Sequence, residues 1–209
     1  MYPFNDIVST SEELRAMMGE SSQRAQRKVI HYLDEHCRNY IAKTPLVILS
    51  TADENGLCDA SPRGDQSGFV KILDDKHLVI PDRPGNKRVD TMLNILSNPN
   101  VGLLFVIPGL QETLRINGKA CLIRDQDILA QMAVNGKTPQ IAIGVEVEQV
   151  FLHCGKAMIR SSLWNPETWL PKDELPCMPQ MMVDHAKIEG LDAKQVKESW
   201  QDGYKNRLY

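Results

Sequence analysis

No apolar stretch in this 209-residue chain approaches the ~20 residues that a bilayer-spanning helix needs. The opening segment, MYPFNDIVSTSEELR, lacks the basic-then-apolar layout of a signal peptide. Five cysteines, at positions 37, 58, 121, 154 and 177, are odd in number and loosely spaced, which does not suggest a disulfide framework. These absences make a reducing cytoplasm the expected compartment and a membrane an unexpected partner. The chain also lacks a basic excess: 24 Lys and Arg stand against 27 Asp and Glu, a net charge of −3. A general nucleic-acid binder carries the opposite balance. No P-loop, G-x-G-x-x-G or G-x-S-x-G elbow is present. His153-Cys154 is half of a metal site with no second His/Cys pair at ligand spacing, so no metal is expected; a buried cysteine and a satisfied histidine are. There is no internal repeat and no low-complexity tract.

What is present is ordinary globular material, 42% hydrophobic and 24% charged, enough for one well-cored domain over residues 1–209. Residues 10–42 read as helices. Thr10 or Ser11 caps the first and Gly19 stops it. A second is expected across residues 21–41, with Ala25, Val29, Tyr32, Leu33, His36 and Cys37 on one face. Residues 45–152 read as β. PLVILST and LCDAS flank Asn55-Gly56, a strong hairpin signal. FVKIL and HLVIP follow, separated by Asp74-Asp75. VGLLFVIP is an uninterrupted apolar run, expected of a strand covered on both faces. In TLRINGKACLI, Leu114, Ile116, Ala120 and Leu122 oppose Arg115, Asn117 and Lys119. IAIGVEVEQVFL sets Ile141, Ile143, Val145 and Val147 against Glu146 and Glu148. Six or seven strands joined by short turns, with one helix inserted near residues 87–97, predict an antiparallel barrel. A short helix is expected at 126–134. Residues 153–209 form a helical or extended C-terminal segment, with a helix at 153–164 and little periodicity until 192–201.

Chemistry concentrates in DRPGNKRVDTMLNI, residues 82–95. The strand HLVIP runs into it and an apolar helical stripe, Val89, Met92, Leu93 and Leu96, runs out. Lys87 and Arg88 are placed in the first turn of that helix, where cations oppose the dipole. A bound phosphate would reverse the sign, because helix amides and basic side chains would converge on one anion. Ser61-Pro62-Arg63-Gly64-Asp65 ends the second strand with another arginine. In a meander that end meets the end of the fourth strand, where Arg83 sits. Arg115 stands on the polar face of a later strand. Four basic positions from three separated segments read as a site for a small anion. Asp65 and Asp82 are the expected orienters of the arginines. Gly109 and Gly118 are expected to serve a turn and a close packing. Trp164 and Trp169, flanking Asn165-Pro166, are equally a packed anchor or an aromatic wall beside a flat ring.

The strings Ser-Pro-Arg-Gly-Asp, Ile-Pro-Asp-Arg-Pro-Gly-Asn-Lys-Arg, Asn-Pro-x-Val-Gly-Leu-Leu-Phe and Leu-Arg-Ile-Asn-Gly together resemble the pyridoxamine 5′-phosphate oxidase-like flavoproteins. The continuation His-Cys-x-Lys-Ala-x-x-Arg-Ser-x-Leu-Trp, residues 153–164, is similar to one FMN-binding subgroup. The resemblance covers residues 10–170. It implies a mainly β protein with flanking helices: an antiparallel split β-barrel that forms a homodimer, with FMN at the subunit interface. Carried over, Arg63, Arg83, Lys87 and Arg88 would hold the FMN phosphate, and Asn86 would also contact the cofactor. Ser61 and Asp82 would lie near the ribityl chain or ring edge, and Arg115 near the cofactor. Lys156, Arg160 and Trp164 would belong to a segment reaching the partner's site. The strand-2 signature of the true oxidases is replaced here, and their C-terminal Arg-x-His is absent after Trp164, so vitamin B6 oxidation is not implied.

Three functions fit. The first is an FMN-dependent oxidoreductase passing hydride to or from a small molecule. The second is a flavin carrier or redox sensor without catalysis. The third is a binder of another phosphorylated cofactor, such as a deazaflavin. No residue stands out as a catalytic acid or base, since the cofactor carries the redox chemistry in flavoenzymes.

Overall fold

The computed structural model describes residues 3–209. Seven strands form one antiparallel sheet. They are β1 (Leu46–Ala52), β2 (Cys58–Gly64), β3 (Lys71–Ile72), β4 (His77–Pro81), β5 (Asn100–Val106), β6 (Thr113–Ile123) and β7 (Ala142–His153). Their order is β2-β1-β5-β6-β7-β4-β3, so β4 and β5 are not neighbours and the sheet is not a plain meander. Inner-face residues from β1 and β5 (Val47, Leu49, Leu103, Phe105) share one core with those of β4, β6 and β7 (Leu78, Ile80, Ile116, Val145, Val147). A sheet whose distant strands bury the same cluster is curled into a barrel. Its two edges, β2 and β3, are not paired to each other, so the barrel is split.

Local signals explain most elements. Asp53 organises the β1–β2 turn: its carboxylate accepts from the Asn55 and Leu57 amides, and Gly56 adopts φ 82°. In β6 the expected alternation holds, with Leu114, Ile116 and Ala120 buried and Arg115 and Lys119 exposed. A bulge falls at Asn117/Gly118, where a Cβ on Gly118 would run into the Glu146 carbonyl oxygen. Gly109, at φ 86°, makes the turn between β5 and β6. In β5, Val101, Leu103 and Phe105 are buried, but Gly102 and Leu104 are only half-covered, so the strand is not sealed on both faces. FVKIL contributes only the two-residue β3.

The helices depart further from expectation. Helix α1 (Ser11–Met18) starts at Thr10, whose hydroxyl accepts from the Glu13 amide, and stops at Gly19. The single helix expected over 21–41 is two, α2 (Gln23–Arg27) and α3 (Glu35–Ala42). Between them Ile30 exchanges main-chain hydrogen bonds with Val150 of β7, at 3.0 and 2.8 Å. Asp34 accepts from the Cys37 amide and caps α3, so its side chain competes with helix continuation. Cys37 is buried there, and burial pushes its thiol up to about 12. The helix α5 (Gln126–Ala130) lies within its expected span, and α6 (Lys156–Arg160) is shorter than foreseen. The tail holds an unforeseen α7 (Met178–Ala186), and α8 (Ala193–Asn206) outruns its expected span. His153 and Cys154 are both exposed, although His153 still pairs with Thr113 of β6. Among the described residues no helix is long and apolar enough to cross a membrane, and no group of three or more His, Cys, Asp or Glu is placed to hold a metal.

Between β4 and β5 lies α4 (Asp90–Ser97), packed against β1, β2 and β6. Of its apolar stripe, Val89, Leu93 and Leu96 are exposed at 45%, 57% and 72%, and Met92 is half-buried. Thr91, Asn94 and Ile95 are buried instead. The reason lies in what the helix covers.

Candidate functional site

The inner face of β2 is polar. Arg63, Ser61 and Asp59 pair across the ladder with Val47, Leu49 and Thr51, so they point into the barrel. They meet the polar side of α4. Arg63 Nη2 donates to Thr91 Oγ1 at 3.2 Å, and Thr91 Oγ1 lies 3.4 Å from Ser61 Oγ. Asn94 Nδ2 donates to Thr51 Oγ1 at 3.0 Å and to Asp59 Oδ2 at 2.8 Å. A polar lining demands polar partners, because a buried hydroxyl or amide left alone costs about 1–3 kcal/mol. That requirement turned the helix over. One atom remains unpaired: Arg63 Nε is buried without a hydrogen-bond partner.

The second arginine arrives as topology foresaw, although by curling of the sheet rather than by a meander. Arg83 Nε donates to Asp65 Oδ2 at 2.7 Å, joining the end of β4 to the end of β2. Arg83 Nη1 donates to the Met132 carbonyl at 2.9 Å. The Asp65 side chain is 2% exposed. Burial pushes its carboxyl up, but hydrogen bonds from Tyr209, the Gln66 amide and Arg83, together with the Arg83 charge, outweigh it and hold Asp65 below its ordinary value. Asp82 shows the opposite balance. Burial pushes it up, and the charges of Arg63 and Arg83 only partly oppose this. Both guanidinium groups therefore act on one half-buried carboxyl, and Ser61, Arg63, Asp82 and Arg83 form one corner. Asp65 orients Arg83, as expected.

The loop into α4 is where the expectation needs correction. Lys87 and Arg88 are not in the first turn; α4 begins at Asp90, and the acid there suits the dipole. Lys87 and Val89 adopt φ 61° and 55°, left-handed values that strain a lysine and more so a β-branched valine. Such strain persists only where surroundings impose it, and it concentrates at ligand clamps. Asn86 Oδ1 accepts from the Arg88 amide at 3.0 Å, and Arg88 Nε pairs with Asp90 at 2.8 Å on the exposed surface. Val89 gives α4 no side-chain cap, whereas α1, α2, α3, α5 and α8 each have one. The α4 N-terminus, with three basic residues nearby in sequence, is electrostatically suited to an anion.

Two nominated residues stand elsewhere. Arg115 pairs with Leu104 on the outer face of the sheet, opposite to the face Arg63 occupies. Its Nε donates to Asn117 Oδ1 at 3.2 Å and its guanidinium lies 5.4 Å from the Phe151 ring centre. It opens onto an outer groove of about 630 Å³ with Ser50, Ala60, Gly102 and Glu148. Strand parity decides this: a residue odd in β6 faces out, whatever its charge. Trp164 Nε1 donates to the Leu110 carbonyl at 3.0 Å, at the β5–β6 turn. Trp169 is 60% exposed, so it is no packed anchor within this chain. Lys156 and Arg160 are exposed on α6. A second groove, about 330 Å³ on the outer face of β4, β6 and β7, contains none of the corner's residues.

Sequence reasoning missed Thr91, Asn94 and Tyr209. Thr91 and Asn94 were legible as a polar pair three residues apart on an otherwise apolar helix. Tyr209 was not, since nothing local links residue 209 to residue 65.

The pyridoxamine 5′-phosphate oxidase family model matches residues 33–154, which spans α3 and every strand. The chain belongs to this family. No curated protein matches it. Solved structures similar to this family member include HupZ of Group A Streptococcus, with 18% identity over 57% of this chain and 92% of that one, and a TM-score of 0.47. HutZ, the heme storage protein of Vibrio cholerae, matches with 15% identity over 58% and 94%, TM-score 0.42. A FAD-binding protein of Mesorhizobium loti matches with 16% identity over 59% and 96%, TM-score 0.41.

Proposed function

We propose that the corner between β2, β4 and α4 binds the phosphate of FMN, and that the protein is an FMN-dependent oxidoreductase acting on a small molecule. The observation that carries this reading is the buried, unpartnered Nε of Arg63 beside Arg83 and the uncapped start of α4. An arginine donor withdrawn from water and given nothing to bind costs free energy, and a phosphate oxygen satisfies it. Membership of the pyridoxamine 5′-phosphate oxidase family supports the same reading. When bound, the flavin supplies hydride transfer, and the chain supplies position and charge. Arg63, Arg83, Lys87 and Arg88 neutralise the phosphate. Asn86 orients the Arg88 amide, and Thr91 fixes Arg63 against Ser61.

The exposed stripe of α4 and the half-covered outer face of β1 and β5 support a homodimer, in which apolar surface is buried without disturbing the polar lining. In that assembly Arg115, on the outer face of the sheet, and Trp164, beside the β5–β6 turn, serve the partner's flavin. The test is direct. Purified protein is expected to be yellow and to release FMN on denaturation, and NAD(P)H or a chemical reductant bleaches it. Riboflavin binds more weakly than FMN. Colourless protein whose melting point is unmoved by FMN sinks the reading; a melting shift with a deazaflavin instead would reassign the ligand.

A further inference from the structure

Arg83 is held by more than Asp65. Tyr209 donates its hydroxyl to Asp65 Oδ1 at 2.7 Å, and the Arg83 guanidinium carbon lies 5.7 Å from the Tyr209 ring centre. Lys137, in the tight turn that follows α5, donates from Nζ to the Tyr209 main-chain oxygen at 2.7 Å. That turn is fixed by paired hydrogen bonds between Val134 and Lys137, with Asn135 and Gly136 at φ 50° and 74°. Tyr209 follows α8, which packs on α7 as a helical hairpin. The residue thus joins the C-terminal hairpin to the anion corner, between two fixed points on the barrel.

The geometry of a guanidinium decides what this contact does. Its five N–H donors lie in a plane. In Arg83, Nε is committed to Asp65 and one Nη1 proton to Met132. An aromatic ring attracts the cation through the ring's π face and takes no N–H donor. The outer edge of the guanidinium, including Nη2, stays available to a second anion. Tyr209 therefore restricts Arg83 without competing for its donors, and it also fixes the carboxylate that orients Arg83. We infer that Tyr209 is a positioning residue for Arg83, with Lys137 as its anchor, and that it couples docking of the C-terminal hairpin to binding of the ligand phosphate. This rests on the phosphate reading of the corner. Coupling of this kind is reciprocal: a ligand that fixes Arg83 tightens the hairpin, and a docked hairpin tightens the ligand.

The test compares FMN with riboflavin, which lacks the phosphate, on the full chain. Tyr209→Ala is expected to weaken FMN about tenfold, the combined effect of one hydrogen bond and one exposed cation–π contact, while riboflavin affinity stays as in the parent. Tyr209→Phe keeps the ring but loses the hydroxyl bond to Asp65, and should recover only part of that loss. Lys137→Met leaves Tyr209 intact and should reproduce the FMN-selective loss in part. Saturating FMN, but not riboflavin, should slow hydrogen exchange in α8 of the parent and not of Tyr209→Ala. Arg63→Ala separates the two ideas. If Arg63→Ala weakens FMN while Tyr209→Ala and Lys137→Met do not, the coupling is overturned and the phosphate site stands. If all three bind FMN like the parent, the phosphate site itself is wrong. An equal loss of FMN and riboflavin in Tyr209→Ala would mean a general structural defect and overturns the positioning role.

Discussion

The two halves of the barrel interior are built on opposite principles. Around β4, β5, β6 and β7 the lining is Leu78, Ile80, Phe105, Ile116 and Val145, all nearly solvent-free. On β2 it is Asp59, Ser61 and Arg63. The apolar half closes on itself and needs nothing further. The polar half must be satisfied by hydrogen bonds, and α4 supplies them incompletely, leaving Arg63 Nε alone. One half is arranged for stability, and on the proposed reading the other keeps a donor for the ligand phosphate. If that division is right, mutations in the two halves should separate into stability effects and ligand effects.

The largest effect belongs to the apolar half. Phe105 is fully buried at the centre of the shared core. Phe105→Ala should cost about 3–5 kcal/mol in chemical denaturation. FMN affinity of whatever remains folded should stay near the parent's. A loss under about 1 kcal/mol would mean that the core is not where stability resides. In the polar half the pattern inverts. Arg63→Ala should weaken FMN by about 1.5–3 kcal/mol, one charge-assisted contact, as read by fluorescence titration. Its apo stability should change little, since one orphaned donor disappears along with the bond to Thr91. If apo Arg63→Ala unfolds as readily as Phe105→Ala, the two halves are not distinct.

How much of this was legible depended on the range of the determining interaction. Strand parity is local, so β6 and β7 could be read from alternation alone, and β1 and β4 from short apolar runs. The Asn55-Gly56 hairpin and the Thr10 cap were equally local. The meeting of residues 63–65 with Arg83 was inferred from topology and is confirmed by the Asp65–Arg83 bond. In α4 much of the apolar stripe is turned outward, because the surface that the helix covers on β2 is polar. Arg115 was drawn into the corner by its charge against its strand parity. Helix 21–41 broke because Asp34 found the Cys37 amide and Ile30 found β7. The Tyr209 contact spans 144 positions, and no local pattern encodes it.

A smaller effect is expected from Asp82, which burial pushes above its ordinary 3.8. In the folded chain this carboxyl keeps its proton to a higher pH than in the unfolded chain. Folding is therefore helped below the unfolded value, and that help is lost as pH rises through the folded one. Asp82→Asn removes the loss. The apo variant should melt above the parent at neutral pH, with the gap closing as pH falls below the unfolded value. Asp65 has the opposite sign: it is held low, so its contribution is present above the unfolded value and disappears as pH falls through the folded one. Asp65→Asn should therefore lower the neutral-pH melting point. Shifts in the same direction for both variants would contradict the assigned balance of burial and charge.

The smallest effect on stability should come from the ion pair at the rim. Arg88 and Asp90 meet at 2.8 Å, but the arginine side chain is 73% exposed, and water and salt screen such a pair. Arg88→Ala should leave the apo melting point within error of the parent. The same change should weaken FMN, because a phosphate drawn to the start of α4 would take a charge-assisted contact from Arg88. Added salt sharpens the distinction. If Arg88 serves the anion, the ratio of parent to variant affinity falls as ionic strength rises, while the two melting curves stay together. A variant that melts early yet binds FMN normally would instead make Arg88 a helix-start anchor and would confine the ligand-directed half of the barrel to Arg63 and Arg83.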